Sequence, residues 1–155
     1  MPTRRKMLLS SAQVAGMLAT LGLVPGWAHA QASGYNAKAF DAKTLAELLA
    51  ALGSGAPVES KDVTLTGPDI AENGAVVPIG ASTSLAGVKR VLLLIEKNPS
   101  LLAAAFDVSD AVDANFSTRV KMGQSSNVLA LAMMSDGKVL FAQKEIKVTL
   151  GGCGG

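Results

Sequence analysis

The stretch VLLLI, residues 91–95, has no polar residue at any alternate position. A half-buried strand shows apolar and polar residues in turn. Five apolar residues in succession, bounded by Arg90 and Glu96, therefore predict a central strand covered on both faces. Short apolar or alternating runs lie on either side of it, and strands are predicted near residues 62–66, 75–81, 88–96, 103–108, 115–122, 126–134 and 138–150. Gly67-Pro68-Asp69, Asn73-Gly74, Asn98-Pro99 and Asp136-Gly137 punctuate them as turns. Asp136-Gly137 between two apolar runs predicts a hairpin of type I′, in which both central residues need positive φ. Asn73 and Gly74 are read as tolerating positive φ in the same way. Pro78 has no N–H for a ladder, which predicts an edge or a bulge for the strand that contains it.

Ahead of the strands, Leu45, Leu48, Leu49 and Leu52 follow the i, i+3, i+4, i+7 spacing of one helix face. Asp41 is the expected N-cap and Gly53 the stop. One short helix followed by seven strands predicts a mainly β fold, an immunoglobulin-like antiparallel β-sandwich.

The front of the chain has a different character. Arg4, Arg5 and Lys6 precede an apolar run from Met7 to Val24, and Pro25-Gly26 and Ala28-His29-Ala30 follow it. This is the order of a cleaved targeting peptide, with an A-x-A cleavage pattern. The pair Arg4-Arg5 resembles the twin-arginine type of leader, with a Sec leader as the alternative. Three segments are expected: residues 1–30 as signal peptide, residues 31–150 as helix plus β-sandwich, and residues 151–155 as a glycine-rich arm. The expected location is the periplasm, with no membrane association once the leader is removed.

Cleavage after Ala30 would leave 125 of the 155 residues, the size of one domain. The 14 basic residues fall to 11 against 12 acidic ones, so the formal charge changes from +2 to −1. Nucleic acid then loses its electrostatic motive as a partner. The same cut removes the only histidine, His29. The remaining chain has no Ser-His-Asp or Cys-His pair and no histidine metal site. One cysteine excludes an internal disulfide and a cysteine-rich zinc site.

That cysteine, Cys153, lies in the terminal GGCGG, residues 151–155. Ile146, Val148 and Leu150 keep a period-2 apolar face up to the glycines, where no side chain remains to bury. At about 3.3–3.6 Å per residue, Cys153 can stand about 10 Å beyond Leu150 and the tail can reach about 17 Å. Its sequence neighbours include no His, Lys or Arg to activate it, so an ordinary thiol is expected. Gly151, Gly152, Gly154 and Gly155 alone would read as a plain tail. An exposed thiol in an oxidising compartment is liable to mixed disulfides, and asks for more than that. The residues allow both a covalent carrier and an intermolecular disulfide link. A redox or metal enzyme using Cys153 is the remaining class, opposed by the absence of histidine.

Three other features carry weaker readings. Phe116, Thr118, Val120 and Met122 share one strand face, with Ser117, Arg119 and Lys121 on the other. A solvated face is the plainer reading, and partner docking through Arg119 and Lys121 the functional one. Ala71-Glu72-Asn73-Gly74 reads as turn chemistry, since it lacks the run of oxygen ligands that calcium needs. Met133-Met134 could suggest copper, but adjacent strand residues face opposite ways.

The twin-arginine leader, the β domain, and the terminal VTLGGCGG, residues 148–155, together resemble SoxY, the sulfur-carrier family of the thiosulfate-oxidising Sox system. PDIAENGAVVPI at residues 68–79, LLLIEKNP at 92–99 and STRVKM at 117–122 resemble that family in order and spacing. The resemblance implies a chain that catalyses nothing and has no resident cofactor. It implies Cys153 as the attachment point for sulfur intermediates, held as cysteine S-thiosulfonate or persulfide, with the four terminal glycines as a swinging arm. The implied partners are a SoxZ-like subunit in a heterodimer, the haem c coupling enzyme SoxAX, the sulfate-releasing hydrolase SoxB and, where present, the sulfane dehydrogenase SoxCD.

Overall fold

A computed structural model describes residues 36–150. The expected leader, the arm and Cys153 lie outside the described residues. Helices α1 (Ala37–Asp41) and α2 (Leu45–Leu52) come first. Nine strands follow: β1 (Pro57–Glu59), β2 (Val63–Thr66), β3 (Ile70–Asn73), β4 (Val77–Thr83), β5 (Val88–Ile95), β6 (Leu102–Asp107), β7 (Asn115–Val120), β8 (Ser126–Met134) and β9 (Val139–Leu150). One sheet runs β1-β9-β8-β5-β6, with β3 also paired to β9, and the second runs β2-β4-β7. The fold is the expected immunoglobulin-like sandwich, with two short helices packed on its larger sheet.

The stretch at 91–95 is buried on both faces, as its composition requires. Val91, Leu93 and Ile95 enter the core between the sheets, beside Val77, Ile79, Val128, Ala130 and Ile146. Leu92 and Leu94 point the other way, into a second core with Leu48, Leu49, Leu129 and Leu131. The alternation of β5 and β8 thus divides apolar residues between two layers, and the helices cover the face that would otherwise meet water.

The helical start differs from the sequence expectation. Asp41 ends α1, whose N-cap is Asn36. Thr44 caps α2 instead, in a reciprocal capping box with Glu47. Gly53 does end α2, with φ of +66°. Two strands, β1 and β3, were not expected. Both pair parallel to β9, through Pro57–Val139 to Glu59–Phe141 and through Ile70–Lys147 to Asn73–Leu150. They are three and four residues long, and pairing with so distant a segment leaves no local signature.

Two turns also differ. Gly137 has φ of +86° but Asp136 does not have positive φ, and Met134 N–H donates to Lys138 O at 2.9 Å. The β8–β9 loop is therefore a three-residue turn closed by a left-handed glycine rather than a type I′ pair. Neither Asn73 nor Gly74 has positive φ. Pro78 sits in β4, the middle strand of its sheet, yet the β2 pairing ends at Thr66–Gly80 and β7 alone flanks Pro78. The missing N–H falls at a locally open side of a central strand.

Candidate functional site

β9 is the last described strand, and Cys153 follows it in sequence. Val139 to Ile146 pair antiparallel with β8. β9 then continues past the start of β8 and gains β3 over Lys147, Val148 and Leu150. Ile146 is fully buried and anchors this transition in the inter-sheet core.

Backbone and side-chain hydrogen bonds clamp the overhang from two directions. Ser125 Oγ accepts the Val148 N–H at 2.8 Å. On the β3 side, Lys147 N–H donates to Asp69 O at 3.0 Å, and Thr149 Oγ1 donates to Glu72 O at 2.9 Å. The segment that carries β3 is itself tied down: Lys144 Nζ donates to Gly67 O at 2.6 Å and pairs with Asp69 Oδ1 at 2.8 Å. That bond, and then the Lys144 charge, hold the Asp69 carboxyl below its ordinary range. Leu150 thus lies on a strand paired to its end, and Cys153 is three residues further along the chain.

Around this exit, Met122 N–H donates to Gly74 O at 2.7 Å, which joins the end of the β3 turn to the segment after β7. Asn98 braces the same segment, giving Nδ2–H to Lys121 O at 2.6 Å and accepting the Gly123 N–H through Oδ1 at 3.2 Å. Arg119 and Lys121 are exposed and the alternating residues of β7 are covered, so the expected division of faces is observed. Neither cation has an ion-pair partner among the described residues. Ser125, Asp69 and Lys144 were missed by sequence reasoning: each acts on a strand remote in sequence, so no spacing announces it.

Among the described residues no three His, Cys, Asp or Glu side chains gather as a metal site. Met133 and Met134 pack against opposite cores, as adjacent strand residues do. No described helix is long and apolar enough to cross a membrane.

The family model described as sulfur oxidation protein SoxY matches residues 48–153, from within α2 through the clamped strand to the cysteine. The chain belongs to the SoxY family. This SoxY chain is also similar to the solved structure of the sulfur carrier protein SoxY from Chlorobium limicola f thiosulfatophilum, at 33% identity and a TM-score of 0.60, over 66% of this chain and 93% of that one. A superoxide reductase (neelaredoxin) from Ignicoccus hospitalis shares the fold, at 15% identity and a TM-score of 0.50, over 56% of this chain and 79% of that one. No curated protein matches the chain.

Proposed function

We propose that this chain is a covalent carrier of sulfur intermediates in thiosulfate oxidation. Cys153 holds the substrate, Gly151, Gly152, Gly154 and Gly155 form a swinging arm, and partner enzymes act on what the arm presents. The observation that carries this reading is the SoxY family match, which runs through Cys153. The strand clamped as far as Leu150 supports it, because a short arm searches a defined volume only from a fixed origin.

The chemistry divides between carrier and partners. Coupling joins the Cys153 sulfur to the outer sulfur of thiosulfate, releases the thiol proton and passes two electrons to the haem enzyme SoxAX. SoxB then adds water across the terminal S–S bond, releasing sulfate and a proton and leaving a persulfide on Cys153. SoxCD, where present, oxidises that remaining sulfur before a second hydrolysis. The chain supplies attachment and presentation and catalyses none of these steps. Twin-arginine export places it in the periplasm, where a SoxZ-like subunit pairs with it.

The test is the intact mass of native, unreduced protein from thiosulfate-grown cells, followed by mapping of the C-terminal peptide before and after reduction. Sulfur, sulfonate or thiosulfate adducts on Cys153, removed by reductant for the disulfide-linked forms, are expected. A tail found only as free thiol, or only as a symmetric Cys153 disulfide with thiosulfate and the haem enzyme supplied, overturns the carrier reading. The symmetric disulfide would favour a structural link between two chains.

A further inference from the structure

The chain has five asparagines: Asn36, Asn73, Asn98, Asn115 and Asn127. In three of them the side-chain nitrogen is engaged: Asn36 Nδ2 donates to Ala51 O at 2.9 Å, Asn98 Nδ2 to Lys121 O at 2.6 Å and Asn127 Nδ2 to Glu96 Oε2 at 3.0 Å. Asn115 begins β7, in ladder with Ser82, and bulky Phe116 follows it. Asn98 is followed by Pro99, whose nitrogen carries no hydrogen.

Asn73 differs from the other four in the residue that follows it. It is exposed, Gly74 follows it, and its Nδ2 has no partner among the described residues. Its Oδ1 accepts the Ala75 N–H at 2.8 Å. That bond closes a ring that contains the Gly74 nitrogen and polarises the amide carbonyl. Glycine offers no Cβ to hinder attack.

We propose that Asn73 is a site of spontaneous succinimide formation and deamidation, and that its rearranged product releases the end of β9. The Gly74 nitrogen loses its proton and attacks Asn73 Cγ. A Cγ–N bond forms, the Cγ–Nδ2 bond breaks, and ammonia leaves with the proton. Water then opens the imide. Cleavage at Cγ gives aspartate; cleavage at the main-chain carbonyl gives isoaspartate, in which the chain runs through Cβ. No oxidant or reductant takes part.

The position gives this modification its consequence. Asn73 is the last residue of β3 and pairs with Leu150, while Gly74 O receives the Met122 N–H. An extra backbone carbon at residue 73 shifts Gly74 out of reach of Met122 and breaks the β3–β9 register beside the tail. The modification stands apart from the carrier reading, and only its meaning for the arm rests on that reading.

The experiment ages the purified mature protein at mildly alkaline pH and maps its tryptic peptides over time. Residues 62–89 lie between Lys61 and Lys89 and contain Asn73 as their single asparagine. This peptide is expected to gain one mass unit on the order of tenfold faster than those bearing Asn98, Asn115 or Asn127, in proportion to its weaker protection, and to split into two products. Modification at Asn73 no faster than at Asn115 or Asn127 overturns the proposal. Amide exchange of residues 147–150 is expected to rise on the order of tenfold in the isoaspartate form. It should stay unchanged in Asn73→Asp, which has the charge without the added carbon, and in aged Asn73→Gln. Equal exchange in fresh and isoaspartate protein, or an equal rise in Asn73→Asp, overturns the proposed release of β9 by the rerouted backbone.

Discussion

Replacing Ile146 by alanine tests whether the core anchors the end of β9. Ile146 is fully buried, and its Cδ1 lies so close to Gly67 that a Cβ built there would be 3.1 Å away. Ile146→Ala removes three carbons from this packing. The transfer term is about 2.4 kcal/mol at about 0.8 kcal/mol per buried carbon. The cavity left between two sheets adds to it, within the range of about 2–5 kcal/mol known for such truncations. We expect a loss of about 3–4 kcal/mol. For a domain of this size that corresponds to a fall in Tm of roughly 12–16 °C. Urea unfolding followed by circular dichroism, with an unchanged slope, measures the difference directly. Ile146→Val serves as a graded control, with an expected loss of about 0.5–1.5 kcal/mol. A loss below about 1 kcal/mol for the alanine variant would refute the argument, since β9 would then be held by its ladder and clamps rather than by the core.

Asp69→Asn should flatten the acid limb of the stability curve. The folded carboxyl titrates below its ordinary value of 3.8 because of the Lys144 hydrogen bond and charge, so its stabilisation is complete above that value and is lost as pH falls through the lower folded one. Tm measured from neutral pH down to strongly acid pH should converge for variant and parent at the acid end. Because Asp69 is exposed, the neutral-pH difference should be small and should shrink with salt. Gly137→Ala places a Cβ on a residue with φ of +86° and should cost about 1–2 kcal/mol in denaturant unfolding; a neutral result would contradict the left-handed turn. Charge reversal at exposed Arg119 and Lys121 should leave stability within about 0.5 kcal/mol and weaken binding of the proposed SoxZ-like partner in titration calorimetry. Unchanged binding would leave those residues as a solvated face.

The local elements were legible because their causes are local. The apolar run at 91–95, the leucine spacing of α2, the stop at Gly53 and the seven expected strands all follow from periodicity and turn chemistry within a few residues. The division of residues 115–122 into a covered and an exposed face follows from the same period of two. The errors arose where a choice depended on competing neighbours. Asp41 and Thr44 both suit an N-cap, and the reciprocal bond of Glu47 decides for Thr44. Asp136-Gly137 fits two hairpin loops, and the Met134–Lys138 pairing selects the longer one.

Of the candidate site, the sequence alone determined that a chain cleaved after Ala30 has one thiol, no histidine and a glycine-rich end, because these are properties of residue type and order. What holds the end of β9 was decided only in three dimensions. β3, Ser125, and the pairing of Lys144 with Asp69 lie 23 to 77 residues from the partners they bond. Parallel pairing and side-chain clamps of that separation depend on two sheets already being packed, and no short-range pattern records them.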